Sequence, residues 1–159
     1  MTMSRTPRSS TSKKTVYVFD TNIFVAALRS RRGASFVILN AIRQELISGA
    51  ASQALLLEYA DVLTRRENLE NFWADANEVN ATIGVIARRF TPVFINFSYR
   101  PLLSDPDDEM VLECAINASA DAIITFNKRD FLPAATQFGI DILSSNEFIQ
   151  KLRLVEKLK

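Results

Sequence analysis

The stretch VYVFDTN, residues 16–22, decides the fold class, because its β-favouring apolar run stops abruptly at Asp20. A run of this length and composition predicts a short strand that is buried on both faces, as the strands of parallel sheets are. The segments PVFI (92–95), AIIT (122–125) and IDIL (140–143) predict further short strands. The fold class then depends on what separates these strands.

Amphipathic helical patterns lie between the predicted strands. They cover about residues 22–30, 34–49, 52–66, 74–90 and 105–119, and a last helix starts after 144. Gly49 is expected to end the second helix, and Ser52 and Asp105 are expected N-caps. Ser144 and Glu147 have the spacing of a capping box. The alternation predicts an α/β fold with a mainly parallel sheet, in which ligands bind at the carboxyl ends of the strands.

Composition predicts one soluble domain preceded by a basic arm. The chain has 159 residues, 48% of them hydrophobic and 23% charged. Residues 1–14 hold four basic side chains and no acid, which predicts a disordered arm ahead of a single domain at 15–159. Since the whole chain carries +1, this domain is mildly acidic. The lack of an export signal and of a long apolar run predicts a cytoplasmic protein without a membrane span.

The sequence contains no histidine and one cysteine, Cys114. The absence of histidine excludes Ser-His-Asp and Cys-His catalysis, histidine-ligated zinc and any histidine general base. A lone cysteine excludes an intramolecular disulfide and a multi-cysteine zinc site. Any catalysis must therefore use carboxylates, lysine, tyrosine or hydroxyl side chains, or a bound ion.

Several carboxylates stand where a ligand would bind. Asp20 ends the first strand and is either a helix cap or part of a site. Glu58 falls on the apolar stripe of its helix, or else lies at the edge of the stripe and reaches water. Asp108 is expected at the buried end of the 105–119 helix, whereas Asp107 and Glu109 are expected to face solvent.

The strand at 122–125 is flanked by further polar residues. Asp121 precedes it and is expected to be structural, while Thr125, Asn127 and Asp130 lie at the same sheet edge as Asp20 and are otherwise explained by turn chemistry. Acidic groups from four segments thus converge on one edge. Clustered carboxylates without an obvious basic partner are typical of a site for Mg²⁺ or Mn²⁺.

In five motifs the sequence resembles the PIN domain family of metal-dependent ribonucleases, and within it the VapC-like toxin components of toxin–antitoxin systems. The motifs are VFDTNIFVAAL (18–28), LLLEYADVL (55–63), DPDDEMVLECA (105–115), DAIITFNKRDF (121–131) and ILSSNEFI (142–149). The likeness covers about residues 15–150. It implies a three-layer α/β/α sandwich around a mainly parallel sheet.

The resemblance also implies roles for individual residues. The implied catalytic and metal-binding residues are all acidic: Asp20, Glu58, Asp108 and Asp130. Asp105 is implied as an assisting acid, and Asn22 and Thr125 as hydrogen-bonding supports. Asn127 stands where many PIN domains have an aspartate, and Asp130 resembles the acid that supplies this function instead.

The predicted function is that of a Mg²⁺- or Mn²⁺-dependent endoribonuclease, the toxin of a type II pair, with products that carry a 5′-phosphate and a 3′-hydroxyl. The alternative is a catalytically inactive PIN-like module that binds RNA or a partner protein, which the departure at Asn127 favours. Predicted partners are RNA, an antitoxin protein and, as one option, a second copy of the chain.

Surface residues are assigned to these partners. The cations expected to hold RNA are Arg29, Arg31, Arg32, Lys128, Arg129 and the basic arm. The antitoxin is expected to offer an arginine to the carboxylates and apolar side chains to a groove between the 52–66 helix and the helices near Phe36 and Trp73. Core packing of Trp73 is the alternative to that groove.

Overall fold

The computed structural model describes residues 14–98 and 103–157, so the predicted arm lies outside it except for Lys14. Its strands are β1 (Tyr17–Phe19), β2 (Ala50–Ser52), β3 (Thr91–Val93), β4 (Ala122–Ile124) and β5 (Asp141–Leu143). Its helices are α1 (Thr21–Arg29), α2 (Ala34–Arg43), α3 (Gln53–Leu63), α4 (Arg66–Leu69), α5 (Ala76–Arg89), α6 (Pro106–Ala118), α7 (Lys128–Gln137), α8 (Ser145–Leu152) and α9 (Leu154–Lys157). None of the helices in this described part of the chain is long and apolar enough to cross a membrane.

All the described strand pairs are parallel, as the sequence predicts. The strands β1, β4 and β5 form one sheet in the order β1-β4-β5, and β2 pairs with β3 in a second. Phe19 lies opposite Ile124, and Ser52 lies opposite Val93. The strand β2 contacts β1, but the two are not joined by a hydrogen-bonded ladder. The carboxyl ends of β1 and β4 therefore lie side by side.

Helices cover both faces of these strands. The rings of Tyr17 and Phe19 pack edge-on against Phe148 of α8, with centroids 4.8 and 5.7 Å away. Phe19 also packs against Phe24 of α1. Because side chains alternate along a strand, the fully buried Val18 points to the opposite face, the face that α6 covers. The predicted α/β sandwich is confirmed, and the first strand is buried on both faces as expected.

The predicted role of Gly49 as a helix stop is wrong. The helix α2 ends at Arg43, and the chain then turns through Glu45, whose φ is 61°. Gly49 instead begins the approach to β2, where an added Cβ would lie 2.8–2.9 Å from the rings of Phe90 and Phe19. The glycine is required by the close approach of two aromatic rings, which a local helix-ending rule does not detect.

Local signals predict the helix starts well and fail at α7. The side chain of Ser52 accepts from the amide of Leu55, and Ser144 forms the expected capping box. The helix α7 replaces the turn that we predict after Thr125, and it contains Pro133. Pro133 argues against a helix in the sequence, because proline lacks the backbone N–H of the helical hydrogen-bond ladder. It does not prevent the first turn of α7 from forming, since that turn precedes it.

Candidate active site

Asp20 is a buried carboxylate at the junction of β1 and α1. Only 6% of its surface is exposed. The Thr125 hydroxyl donates a hydrogen bond of 2.7 Å to Oδ2 of Asp20, and the Asn127 amide donates one of 2.9 Å to the Thr125 oxygen. The backbone N–H of Asp20 donates to the carbonyl of Ile124 at 2.9 Å. Asp20 is thus fixed to β4 through both its backbone and its side chain, while the role of Thr125 as a support of the site stays a prediction.

The environment of Asp20 favours its neutral form. Burial raises its pKa, while the Thr125 hydroxyl and the backbone amides of Thr21 and Asn22 oppose the rise. The carboxylate of Asp105 raises the pKa further. Asp20 occupies the N-cap position of α1, but its side chain makes no cap hydrogen bond. The carboxylate nevertheless faces the first two amides of α1, so the start of this helix contributes to its environment.

Asp108 lies in the first turn of α6 and is 6% exposed, at the buried position that the sequence predicts. Its pKa is raised from 3.8 to about 6. Burial is the largest cause, followed by the carboxylates of Asp20, Asp105, Asp130 and Asp107. The charges that act most strongly on Asp108 are therefore all negative, which is the electrostatic signature of a site for a cation.

The prediction that Glu109 faces solvent is wrong. Glu109 is 5% exposed, and it accepts a hydrogen bond from the backbone amide of Leu103. Leu103 lies against the start of α6, and its backbone amide requires an acceptor. Asp105 acts as the expected N-cap by accepting from the amide of Asp107 at 2.9 Å. Asp107 is exposed, as predicted.

Glu58 on α3 is half-buried. It therefore lies neither fully on the apolar stripe of its helix nor fully in solvent, the two positions considered from the sequence. Burial raises its pKa, and the charges of Asp107, Asp61 and Asp20 act in the same direction. Arg65 opposes them, but its guanidinium also forms a 2.8 Å ion pair with Asp61. Glu58 consequently belongs to the same repulsive group of carboxylates as Asp20.

The remaining predicted residues lie around this group. Asp130 is exposed in the first turn of α7, close enough to raise the pKa of Asp108. Asn127 holds the N-cap position of α7 without a side-chain cap bond, and contributes its backbone amide to Thr125. The Asn22 side chain is exposed. We refer to Asp20, Glu58, Asp105, Asp107, Asp108 and Asp130 together as the acidic cluster.

The acidic cluster has the donor chemistry of a hard divalent cation. Its donors are carboxylate oxygens, and a bound cation would relieve their mutual repulsion. Within residues 14–98 and 103–157, however, no three acidic, histidine or cysteine side chains are arranged as a ready ligand set. Mg²⁺ usually keeps several waters and uses only one or two carboxylates directly, so a preformed cage is not required for it.

Some of the cations predicted to hold RNA already have partners. The Lys128 ammonium binds Glu147 at 2.7 Å. Arg29 donates to the side chain of Asn68 at 3.4 Å. Arg32 and Arg129 are exposed. Because exposed pairs contribute little free energy, the ion pair of Lys128 adds little to the stability of the protein.

Trp73 is half-buried and packs against the core. Its indole N–H donates to the carbonyl of Ala27 at 2.9 Å, and its ring meets Phe36 edge-on at 5.8 Å. The guanidinium of Arg31 covers the ring at 4.4 Å. These contacts match the core-packing alternative for Trp73, and the antitoxin groove stays a prediction.

Comparison with known proteins agrees with this geometry. A family model of the PIN domain matches residues 16–129, which run from β1 into the first turn of α7 and exclude only Asp130 of the acidic cluster. No curated protein matches the chain. PIN domains have a nuclease-like fold, are generally nucleases and typically use divalent metals. Since the match covers more than half of the sequence, the chain belongs to the PIN domain family.

Proposed function

We propose that the protein is an endoribonuclease that depends on Mg²⁺ or Mn²⁺. The observation that carries this proposal is Asp108, a buried carboxyl whose pKa is raised to about 6 by burial and by four neighbouring carboxylates. Burying such a carboxylate in its charged form costs free energy, and a bound cation would offset this cost. Membership of the PIN domain family supports nuclease chemistry at the same edge of the sheet.

In this proposal Asp20, Glu58, Asp108 and Asp130 would hold the ion, directly or through water. A bound Mg²⁺ or Mn²⁺ would polarise a phosphoryl oxygen and lower the pKa of a water, so that a phosphodiester can be attacked without histidine. The hydroxyl of Thr125 donates a hydrogen bond to Oδ2 of Asp20 and thereby limits the rotation of that carboxylate. The proposed products carry a 5′-phosphate and a 3′-hydroxyl. Arg129, Arg32 and the basic arm are the proposed contacts to RNA phosphates.

The test of the proposal is cleavage of total RNA by the wild type and by Asp20→Asn, with and without Mn²⁺. Of the four conditions, we expect cleavage only by the wild type in the presence of Mn²⁺. Asp20→Asn should be inactive, because asparagine keeps the volume of the side chain but removes its charge. Gel or sequencing readout of fragment ends checks the products. Equal cleavage by both proteins would show that Asp20 is not part of the site.

A second candidate is an inactive PIN-like module that binds RNA or a protein. Two observations favour it: Asn127 supplies only its backbone amide, and no ready ligand set lies in the described residues. Thermal unfolding with increasing Mn²⁺ separates the two candidates. A nuclease should be stabilised by about 2.7 kcal/mol when Mn²⁺ is 100-fold above its dissociation constant, whereas an inactive module should not respond.

We further propose that the nuclease acts as a toxin in the cytoplasm and is restrained by an antitoxin. The antitoxin would offer an arginine to the acidic cluster, because a guanidinium pairs with carboxylates in a fixed fork. Expression of the chain alone should arrest growth in an Asp20-dependent manner, and co-expression of the product of the neighbouring gene should relieve the arrest. Normal growth without a copurifying partner would contradict the toxin role but not the nuclease activity.

A further inference from the structure

One peptide group, formed by the carbonyl of Phe19 and the amide of Asp20, lies at an interruption in the strand order. The amide of Asp20 donates to Ile124 of the β4 side. Since a trans peptide directs its N–H and C=O oppositely, the Phe19 carbonyl points away from β4. On that side β2 contacts β1 but forms no ladder with it. A buried carbonyl there needs a donor from elsewhere.

Tyr59 supplies that donor. Its hydroxyl donates a hydrogen bond of 2.6 Å to the Phe19 carbonyl. Its ring is 1% exposed and packs edge-on against Phe24, with centroids 5.0 Å apart. Because a carbonyl oxygen can only accept, the hydroxyl is the donor of this bond. The sequence shows Tyr59 only as a member of the apolar stripe of its helix.

The position of this bond connects two candidate metal ligands. The peptide that it holds leads directly into Asp20, and the residue before Tyr59 on α3 is Glu58. The peptide is held at both ends, by the Tyr59 hydroxyl on its oxygen and by the Ile124 carbonyl on its nitrogen. The bond therefore joins the backbone of Asp20 to the helix that carries Glu58.

We propose that Tyr59 is a positioning residue of the acidic cluster, which sets the placement of Asp20 relative to Glu58 through the Phe19 carbonyl. This inference rests on the proposed metal-dependent function. In ligand sets of this kind, groups that orient the ligands typically change metal affinity or activity by about 10–100-fold when they are removed.

The test compares Tyr59→Phe with two control variants. Tyr59→Phe removes only the hydroxyl, and it should raise the Mn²⁺ concentration for half-maximal thermal stabilisation about tenfold or more. Tyr17→Phe removes a hydroxyl at the amino end of β1 and keeps the ring that packs on Phe148. Leu63→Val removes buried volume from α3 and controls for a general loss of stability. Both controls should keep the wild-type Mn²⁺ midpoint.

A measurement without metal keeps this inference separate from the nuclease proposal. Hydrogen exchange of the Asp20 amide should accelerate in Tyr59→Phe and stay unchanged in Tyr17→Phe. A wild-type Mn²⁺ midpoint in Tyr59→Phe would overturn the positioning role, as would an unchanged exchange rate at Asp20. A wild-type protein that neither binds Mn²⁺ nor cleaves RNA would overturn the proposed function and the metal role of Tyr59 together, and faster exchange would then show a purely structural link.

Discussion

Replacement of Asp108 by asparagine is expected to abolish RNA cleavage without destabilising the metal-free protein at neutral pH. The asparagine would keep the volume and polarity of the side chain but remove a buried charge that faces four other carboxylates. We expect a loss of cleavage of about 100-fold or more, because the ion that would stabilise transition-state charge loses a ligand. Cleavage rates and thermal unfolding in EDTA measure the two effects separately.

The raised pKa of Asp108 determines how the stability of the metal-free wild type should change with pH relative to Asp108→Asn. The folded protein raises the pKa of Asp108 from 3.8 to about 6, so folding favours the protonated carboxyl. The resulting stabilisation is complete below about pH 4 and is lost as the pH rises through 6. Metal-free wild type should therefore lose stability relative to Asp108→Asn over this window. The size of the shift in pKa limits the expected difference to at most about 3 kcal/mol.

The neighbouring residue provides the matched control. Asp107 has the same charge and lies in the same helical turn, but it is exposed. Asp107→Asn should leave cleavage within about twofold of the wild type, since it removes only screened repulsions with Glu58 and Asp108. If cleavage depended on Asp107 and tolerated Asp108→Asn, the assignment of the inward face of α6 would be wrong.

The features of the fold that sequence predicts correctly are those with local causes. Ser52, Asp105 and Ser144 cap their helices because a side-chain oxygen within three residues reaches a free backbone amide. The burial of β1 follows from four consecutive apolar residues. Gly49 is assigned wrongly because its neighbours in space, Phe19 and Phe90, are about 30 to 40 residues away in sequence.

The same distinction holds within the candidate site. Helical periodicity places Asp108 inward, and this position is confirmed. Periodicity fails for Glu109, whose burial depends on how the preceding segment folds back to Leu103. The hydroxyl of Tyr59 has its acceptor 40 residues away, on another element. Sequence patterns thus find carboxylates at strand and helix ends, whereas Thr125 is expected as a hydrogen-bonding support only from the family resemblance and the bond of Tyr59 is not expected at all.

Removal of divalent metal is expected to abolish cleavage completely and reversibly. The proposed ligands are all oxygens, so both Mg²⁺ and Mn²⁺ should restore activity after chelation. The measurement is cleavage of a defined RNA in EDTA, followed by titration of each metal. Asp20→Asn, purified in parallel, controls for contaminating nuclease. Full cleavage in excess EDTA that is absent from this control would refute the metal mechanism.

The acidic cluster also sets how this metal dependence should change with pH. Because the pKa of Asp108 is raised to about 6, a proton competes with the metal for this carboxylate on the acidic side of neutrality. The Mn²⁺ concentration for half-maximal cleavage should therefore rise as the pH falls below 6, and excess Mn²⁺ should restore the rate. Asp107→Asn should retain this behaviour, because Asp108 keeps its burial and its other acidic neighbours. A Mn²⁺ requirement that is independent of pH between 5 and 8 would place the metal away from Asp108.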